Sequence, residues 1–174
     1  MIARLLLASM LVVLAACARP PSRDPAVVED VVAYVDKIKK WEPVEAEVLK
    51  AMRDVRRSQY VDDDYVVSTL GATMNDVELH IEEIDRFRPR TPQVGQVHDR
   101  YTKAWHDLHD AFAAIIASME RKDYVALARG TEQMGRARDD LVTVAAALNL
   151  LMKDTGLKPQ DEDGAPEGEQ PRAS

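Results

Sequence analysis

Residues 65–87 read YVVSTLGATMNDVELHIEEIDRF, and the spacing of their apolar side chains decides the fold. Val67, Leu70, Met74, Val77, Ile81, Ile84 and Phe87 recur at steps of three and four. A helix with about 3.6 residues per turn places such positions along one face. Asp62, Asp63 and Asp64 supply an N-cap and suit the positive end of the helix dipole, while Pro89 ends the element. The spacing predicts a helix over Asp64–Arg88.

The same period continues on both sides. Thr91 caps a following helix with Pro92 at its first position, and Val94, Val97, Tyr101, Trp105, Leu108, Phe112, Ile115 and Met119 run down one side. After the short turn around Lys122, with Asp123 as cap, a last helix carries Leu127, Thr131, Met134, Ala137, Leu141, Val144, Leu148 and Leu151. It stops at Gly156, with Pro159 beyond. Each of these three is about 25–30 residues, hence ~40 Å long.

Upstream, Asp24 and Pro25 open a first helix whose stripe is Val28, Val31, Val35, Ile38, Trp41, Val48, Met52 and Val55. Pro43 interrupts it. An interior proline loses a hydrogen bond and clashes, at a cost of ~3 kcal/mol or more, so a kink or break is expected near Trp41–Pro43. Strand alternation and hairpin signals appear nowhere along the chain. Short turns make neighbours antiparallel, and the expected fold is all-α: an up-down-up-down antiparallel four-helix bundle over 25–157, with coiled-coil-like packing.

The two ends differ in composition from this core. Only twelve residues, Leu5–Ala16, lie in the largely apolar run between Arg4 and Cys17, against the roughly 20 that a spanning helix needs. A basic end, a short apolar stretch and small residues before a cut site form a secretory signal. The four residues Leu14, Ala15, Ala16 and Cys17 resemble the lipobox of bacterial lipoproteins. That resemblance implies cleavage between Ala16 and Cys17, loss of residues 1–16, and acylation (palmitate-type chains) of Cys17. It implies a lipid anchor in the bacterial cell envelope, and Ala18 rather than Asp after the cysteine implies the outer membrane, facing the periplasm. Two or three acyl chains hold a protein to a bilayer stably, each buried CH₂ contributing ~0.8 kcal/mol. Cys17 is the chain's one cysteine, so no intrachain disulfide can form.

Residues 17–24 then form a proline-rich tether, reaching ~23–25 Å at most over its seven links. The segment 158–174, KPQDEDGAPEGEQPRAS, carries five acids, two bases, three prolines and no large apolar residue. It cannot offset its ordering entropy by burial and is expected to be a disordered acidic tail.

Loss of Met1–Ala16 removes Arg4 and moves the formal charge from −7 to −8 over 158 residues, one domain's worth of chain. An acidic balance argues against nucleic acid as a partner, which would need clustered Lys and Arg. Lys37, Lys39, Lys40, Lys50, Arg53, Arg56 and Arg57 make the first helix basic, and Asp76, Glu78, Glu82, Glu83 and Asp85 make the second acidic. Complementary rims favour these two as neighbours.

In the expected bundle, the tether and the connection RFRPRTP share one end. Arg86, Arg88 and Arg90 there are candidates for anionic headgroups, each worth ~1 kcal/mol near such a surface, although a solvated loop reads as well. Tyr60, Tyr65 and Tyr124 cluster at the far end, as a partner-contact surface or as staples of the bundle end.

Chemistry-bearing motifs are sparse. His80, His98, His106 and His109 invite a test for haem or di-iron in the bundle core. No Glu-x-x-His occurs, and the last helix has neither cysteine nor histidine, so these read as boundary or solvent-facing histidines with no metal or cofactor. Asp62–Asp64 lacks the spacing, glycine and terminal glutamate of a calcium loop. Neither Gly-x-Ser-x-Gly nor a phosphate loop is found, and no enzymatic activity is expected. Gly130 and Gly135 inside the last helix each cost ~1 kcal/mol relative to alanine and mark either close packing or local loosening. Two functions fit these features: an anchored structural or adaptor protein with an envelope partner, or a periplasmic binding module taking an apolar or metal ligand between its helices.

Overall fold

A computed structural model describes residues 24–58 and 62–158. The expected signal, Cys17, the expected tether before Asp24, the expected tail beyond Lys158 and Tyr60 lie outside the described residues. The described chain is all-helical: α1 is Pro25–Lys39, α2 Glu42–Ser58, α3 Asp63–Asp85, α4 Pro92–Glu120 and α5 Tyr124–Asp154. Five helices stand where four are expected because the first divides. Lys40 and Trp41 form the turn, with the Trp41 N–H on the Ile38 carbonyl at 2.8 Å, and Pro43 falls in the first turn of α2. There its missing N–H would be unpaired in any case, so a break removes the cost of an interior proline.

Caps fix the remaining ends. Asp24, Asp62 and Asp123 accept N–H bonds of Ala26 (3.0 Å), Asp64 (3.0 Å) and Ala126 (3.0 Å) respectively. Thr91 occupies the N-cap of α4, but its side chain makes no cap bond there. Its hydroxyl instead donates to Asp30 Oδ2 at 2.7 Å, and the same oxygen accepts the N–H groups of Arg90 (2.9 Å) and Thr91 (2.8 Å). Asp30, 1% exposed, thus latches α1 to the α3–α4 connection. α5 closes on a pair of bonds, Leu157 N–H to Met152 and Gly156 N–H to Lys153, with Gly156 at φ +78° where a side chain would be strained.

The core is built on α4. All eight positions of its sequence stripe are buried, with Trp105, Leu108, Phe112 and Ile115 at 1% exposure or less. Each such side chain contributes roughly 1.5–3 kcal/mol by leaving water. α5 lies closest to α4: a Cβ added at Gly130 would stand 2.9 Å from Ile115 Cγ1 and 3.3 Å from its backbone nitrogen. α3 packs on α4 and α2 on α3, α1 lies against α4, and α2 and α5 scarcely approach one another.

The α3 face is turned slightly from the expected stripe. Val66 and His80 are fully buried, whereas Val67, Met74, Ile81 and Phe87 are half-buried. His80 and His98, expected at the boundary, are core residues at 0% and 7% exposure. Of the complementary rims, Lys37 of α1 pairs with Glu83 of α3.

Candidate functional site

Two sites emerge from this packing, one sealed and one open. The sealed one lies where α1 breaks from α2. Trp41 brings its ring to 4.8 Å from that of His80, and Trp105 of α4 stands edge-on to the same imidazole at 4.3 Å. His80 Nε2 is 3.1 Å from the Tyr101 hydroxyl, which donates to the carboxylate of Glu45 on α2. Since the Tyr101 proton goes to Glu45, its oxygen accepts from His80, which assigns the His80 proton to Nε2. His80 Nδ1 is left buried without a hydrogen-bond partner among the described residues.

Burial sets the charges of this chain of groups. It lowers His80 to about 4, with Glu83 raising and Lys37 lowering it more weakly. It raises the Glu45 carboxyl, against the bond from Tyr101 that lowers it. It raises the hydroxyls of Tyr101 and Tyr34 well beyond the phenol range, aided by the charge of Glu45. At neutral pH the network therefore holds a neutral imidazole and the neutral phenol of Tyr101, and works as a polar rivet joining α2, α3 and α4, while the neutral hydroxyl of Tyr34 is buried without a hydrogen-bond partner among the described residues. Glu45 and Tyr101 also border a cavity of about 160 Å³ closed on the α5 side by Leu141, Val144 and Leu148.

The open site is the α2–α5 seam itself. A cleft of about 570 Å³ runs between Leu49, Met52, Arg53 and Arg56 of α2 and Thr131, Met134, Gly135 and Arg138 of α5. Its apolar floor is Met52 and Met134, 4% and 2% exposed. A Cβ added at Gly135 would meet nothing within 4 Å. Arg53 and Arg56, one turn apart on α2, make no ion pair among the described residues, while Arg138 is held by its neighbour Asp139 at 2.6 Å. Thr131 keeps its hydroxyl on the Leu127 carbonyl at 3.0 Å. Neither Arg53, Arg56 nor Arg138 stands out in the sequence as a site residue, because nothing local joins α2 to α5.

The sequence candidates disperse. Tyr65, in the first turn of α3, and Tyr124, the first residue of α5, are 43% and 66% exposed, with Val125 beside Tyr124 at 65%. Arg86 pairs with Glu82 at 2.9 Å, Arg88 donates to the carbonyls of Asp85 and Phe87, and Arg90 lies 3.7 Å from Asp30 and 3.9 Å from Glu29. All three guanidinium groups are exposed yet internally engaged. His106 approaches Asp85 at 3.3 Å, and His109 approaches Glu78 at 3.3 Å. Among the described residues no three His, Cys, Asp or Glu side chains gather as a metal site, and no helix is long and apolar enough to cross a membrane.

Comparison of the chain with family models, curated proteins and solved structures finds no match.

Proposed function

We propose that this protein is a lipid-anchored protein of the bacterial envelope, held by acylated Cys17 at the outer membrane and facing the periplasm. Its α1–α2 rod, α3, α4 and α5 form an up-down-up-down antiparallel bundle acting as a structural or adaptor module without chemistry of its own. The observation that carries this reading is the exposure of Tyr65, Tyr124 and Val125 at the helix starts. Tyrosines that stapled the bundle end would be buried against it, whereas exposed aromatics beside an apolar residue suit a protein partner.

Crosslinking in native membranes, followed by recovery of the lipidated chain, tests both halves of the reading. A specific envelope partner should be recovered, lost from Cys17→Ser, and weakened when Tyr60, Tyr65 and Tyr124 are together replaced by alanine with helicity unchanged. Recovery indifferent to both changes overturns it.

The α2–α5 cleft favours a second reading, a binding module for an apolar ligand between the helices. An apolar floor with a few polar groups at its rim, in a volume within the usual ~300–1,000 Å³, is the common form of a small-molecule site. Saturable binding of an alkyl-chain probe, lost when the cleft is filled, tests that reading; a chain indifferent to such probes removes it.

A further inference from the structure

We propose that the α2–α5 cleft holds an anionic single-chain amphiphile, its chain on Met52, Met134 and Leu49 and its headgroup on Arg53, Arg56 and Arg138. This deepens the second reading above and rests on it. Three features of the cleft point the same way.

The first is charge. The chain is acidic overall, with a net charge of −7 and a pI near 5.1, yet the cleft gathers three guanidinium groups from two helices. Arg53 and Arg56 are three residues apart and share a helix face, where like charges repel. Neither has an ion-pair partner among the described residues, and the Asp139 carboxylate beside Arg138 answers only one of the three charges. A carboxylate or phosphate entering the cleft meets forked donors suited to bidentate bonding, about twice as strong as neutral hydrogen bonds.

The second is the floor. Met52 of α2 and Met134 of α5 both line the cleft, and methionine's flexible, polarisable side chain adapts to an alkyl chain of varying position. Leu49, 42% exposed, extends this apolar surface outward. An inorganic anion would leave it unused, and a neutral hydrocarbon would leave the arginines unused. The chain's own acidic segment, with Asp161, Glu162, Asp163, Glu167 and Glu169, brings charge but no large apolar side chain, and so matches one half of the cleft alone.

The third is Gly135. A glycine inside a helix costs about 1 kcal/mol relative to alanine. At Gly130 close packing against Ile115 accounts for it, but a Cβ added at Gly135 would meet nothing within 4 Å. A missing side chain in the wall keeps the cleft wide enough for a chain to lie along α5.

The test uses the full chain and four probes: dodecanoate and lauroyl lysophosphatidylglycerol, dodecyl maltoside as the uncharged amphiphile, and inorganic phosphate. Titration calorimetry below the micellar range, with native mass spectrometry for stoichiometry, should show one dodecanoate or one lysophospholipid per chain. Affinity should fall about tenfold or more for dodecyl maltoside and for Arg53→Gln combined with Arg56→Gln. Gly135→Leu, filling the cleft, should abolish binding, while Gly71→Leu, at an exposed glycine of α3 with equal free space, should leave it unchanged. Circular dichroism establishes that each variant is folded.

Preference for dodecanoate or for the lysophospholipid distinguishes a fatty-acid from a phospholipid source of the same headgroup chemistry. Binding of dodecyl maltoside as tight as dodecanoate, lost in Gly135→Leu but indifferent to the arginines, overturns the anionic assignment and leaves the apolar-ligand reading standing. Binding of phosphate alone as tight as either lipid overturns the amphiphile. Binding indifferent to Gly135→Leu, or none from any probe, overturns both.

Discussion

The α4–α5 seam and the α2–α5 seam share a helix and differ in almost everything else. Against α4, α5 presents Gly130, and the backbones close until a single methyl group would clash. Against α2, one and a half turns further along, it presents Gly135 to open space, with Met134 beneath and arginines on both banks. The same residue type thus marks contact in one place and clearance in the other. Helix geometry explains the difference: five residues turn the face by about 140°, so Gly130 and Gly135 cannot address the same neighbour. A bundle with three packed sides can leave a fourth unsealed if its stability rests on the other three, and α4 carries that load here.

The largest effect should come from thinning the sealed side. Trp105 is 1% exposed and lies against His80 and Tyr101. Trp105→Ala should cost about 4 kcal/mol in chemical denaturation, whereas Met52→Ala, widening a cleft that is already open, should cost about 2 kcal/mol or less. Equal losses would mean that the two seams are packed alike.

The pH dependence belongs to the sealed side, where two kinds of group act in opposite senses. Folded His80 titrates at about 4 against an ordinary 6.5, so between those values the unfolded chain binds a proton that the folded one refuses. Stability falls as pH drops through that window, by at most about 3 kcal/mol. Glu45, bonded to Tyr101 in the same network, acts in the opposite sense: its raised carboxyl holds a proton longer when folded, so its contribution diminishes as pH rises above the ordinary carboxylate range. His98, also lowered by burial, adds to the His80 slope. Comparing wild type with His80→Phe by urea midpoints at pH 7 and pH 4.5 isolates the imidazole. The variant should lose distinctly less stability on acidification, and parallel losses would remove His80 as the source.

The packed half of the molecule was legible in the sequence, and the open half was not. Every α4 stripe residue from Val94 to Met119 is buried because apolar period and burial coincide on a helix packed on several sides. Pro43 disclosed the α1–α2 break through its missing N–H. His80 escaped because its burial depends on Tyr101, distant in sequence, whose oxygen satisfies Nε2 while its proton goes to Glu45. Thr91 carried the signal of a capping side chain, but Asp30 competes for its hydroxyl from another helix. The cleft escaped more completely, since it consists of contacts that α2 and α5 do not make, and Arg53 and Arg138 come together only through the fold.

Overfilling sharpens the contrast at intermediate size. Gly130→Leu must displace the Ile115 side chain and strain against its backbone, for a net loss of about 2 kcal/mol after the gain in helix propensity. Gly135→Leu meets no such neighbour and should not destabilise. Thermal denaturation of the two variants side by side decides it, and a comparable loss at both positions would mean that the α2–α5 seam closes in solution.

The smallest effect is the most diagnostic of why the seam is open. Gly135→Ala adds one methyl group where nothing stands within 4 Å, removes the entropy cost of a helical glycine, and should stabilise the chain by about 1 kcal/mol. An alanine there is too small to fill a cleft of about 570 Å³. The gain would therefore come without sealing the seam, and glycine at 135 would be a stability cost that packing does not impose. A neutral or unfavourable Gly135→Ala would place a neighbour at that methyl and make Gly135, like Gly130, a glycine of contact.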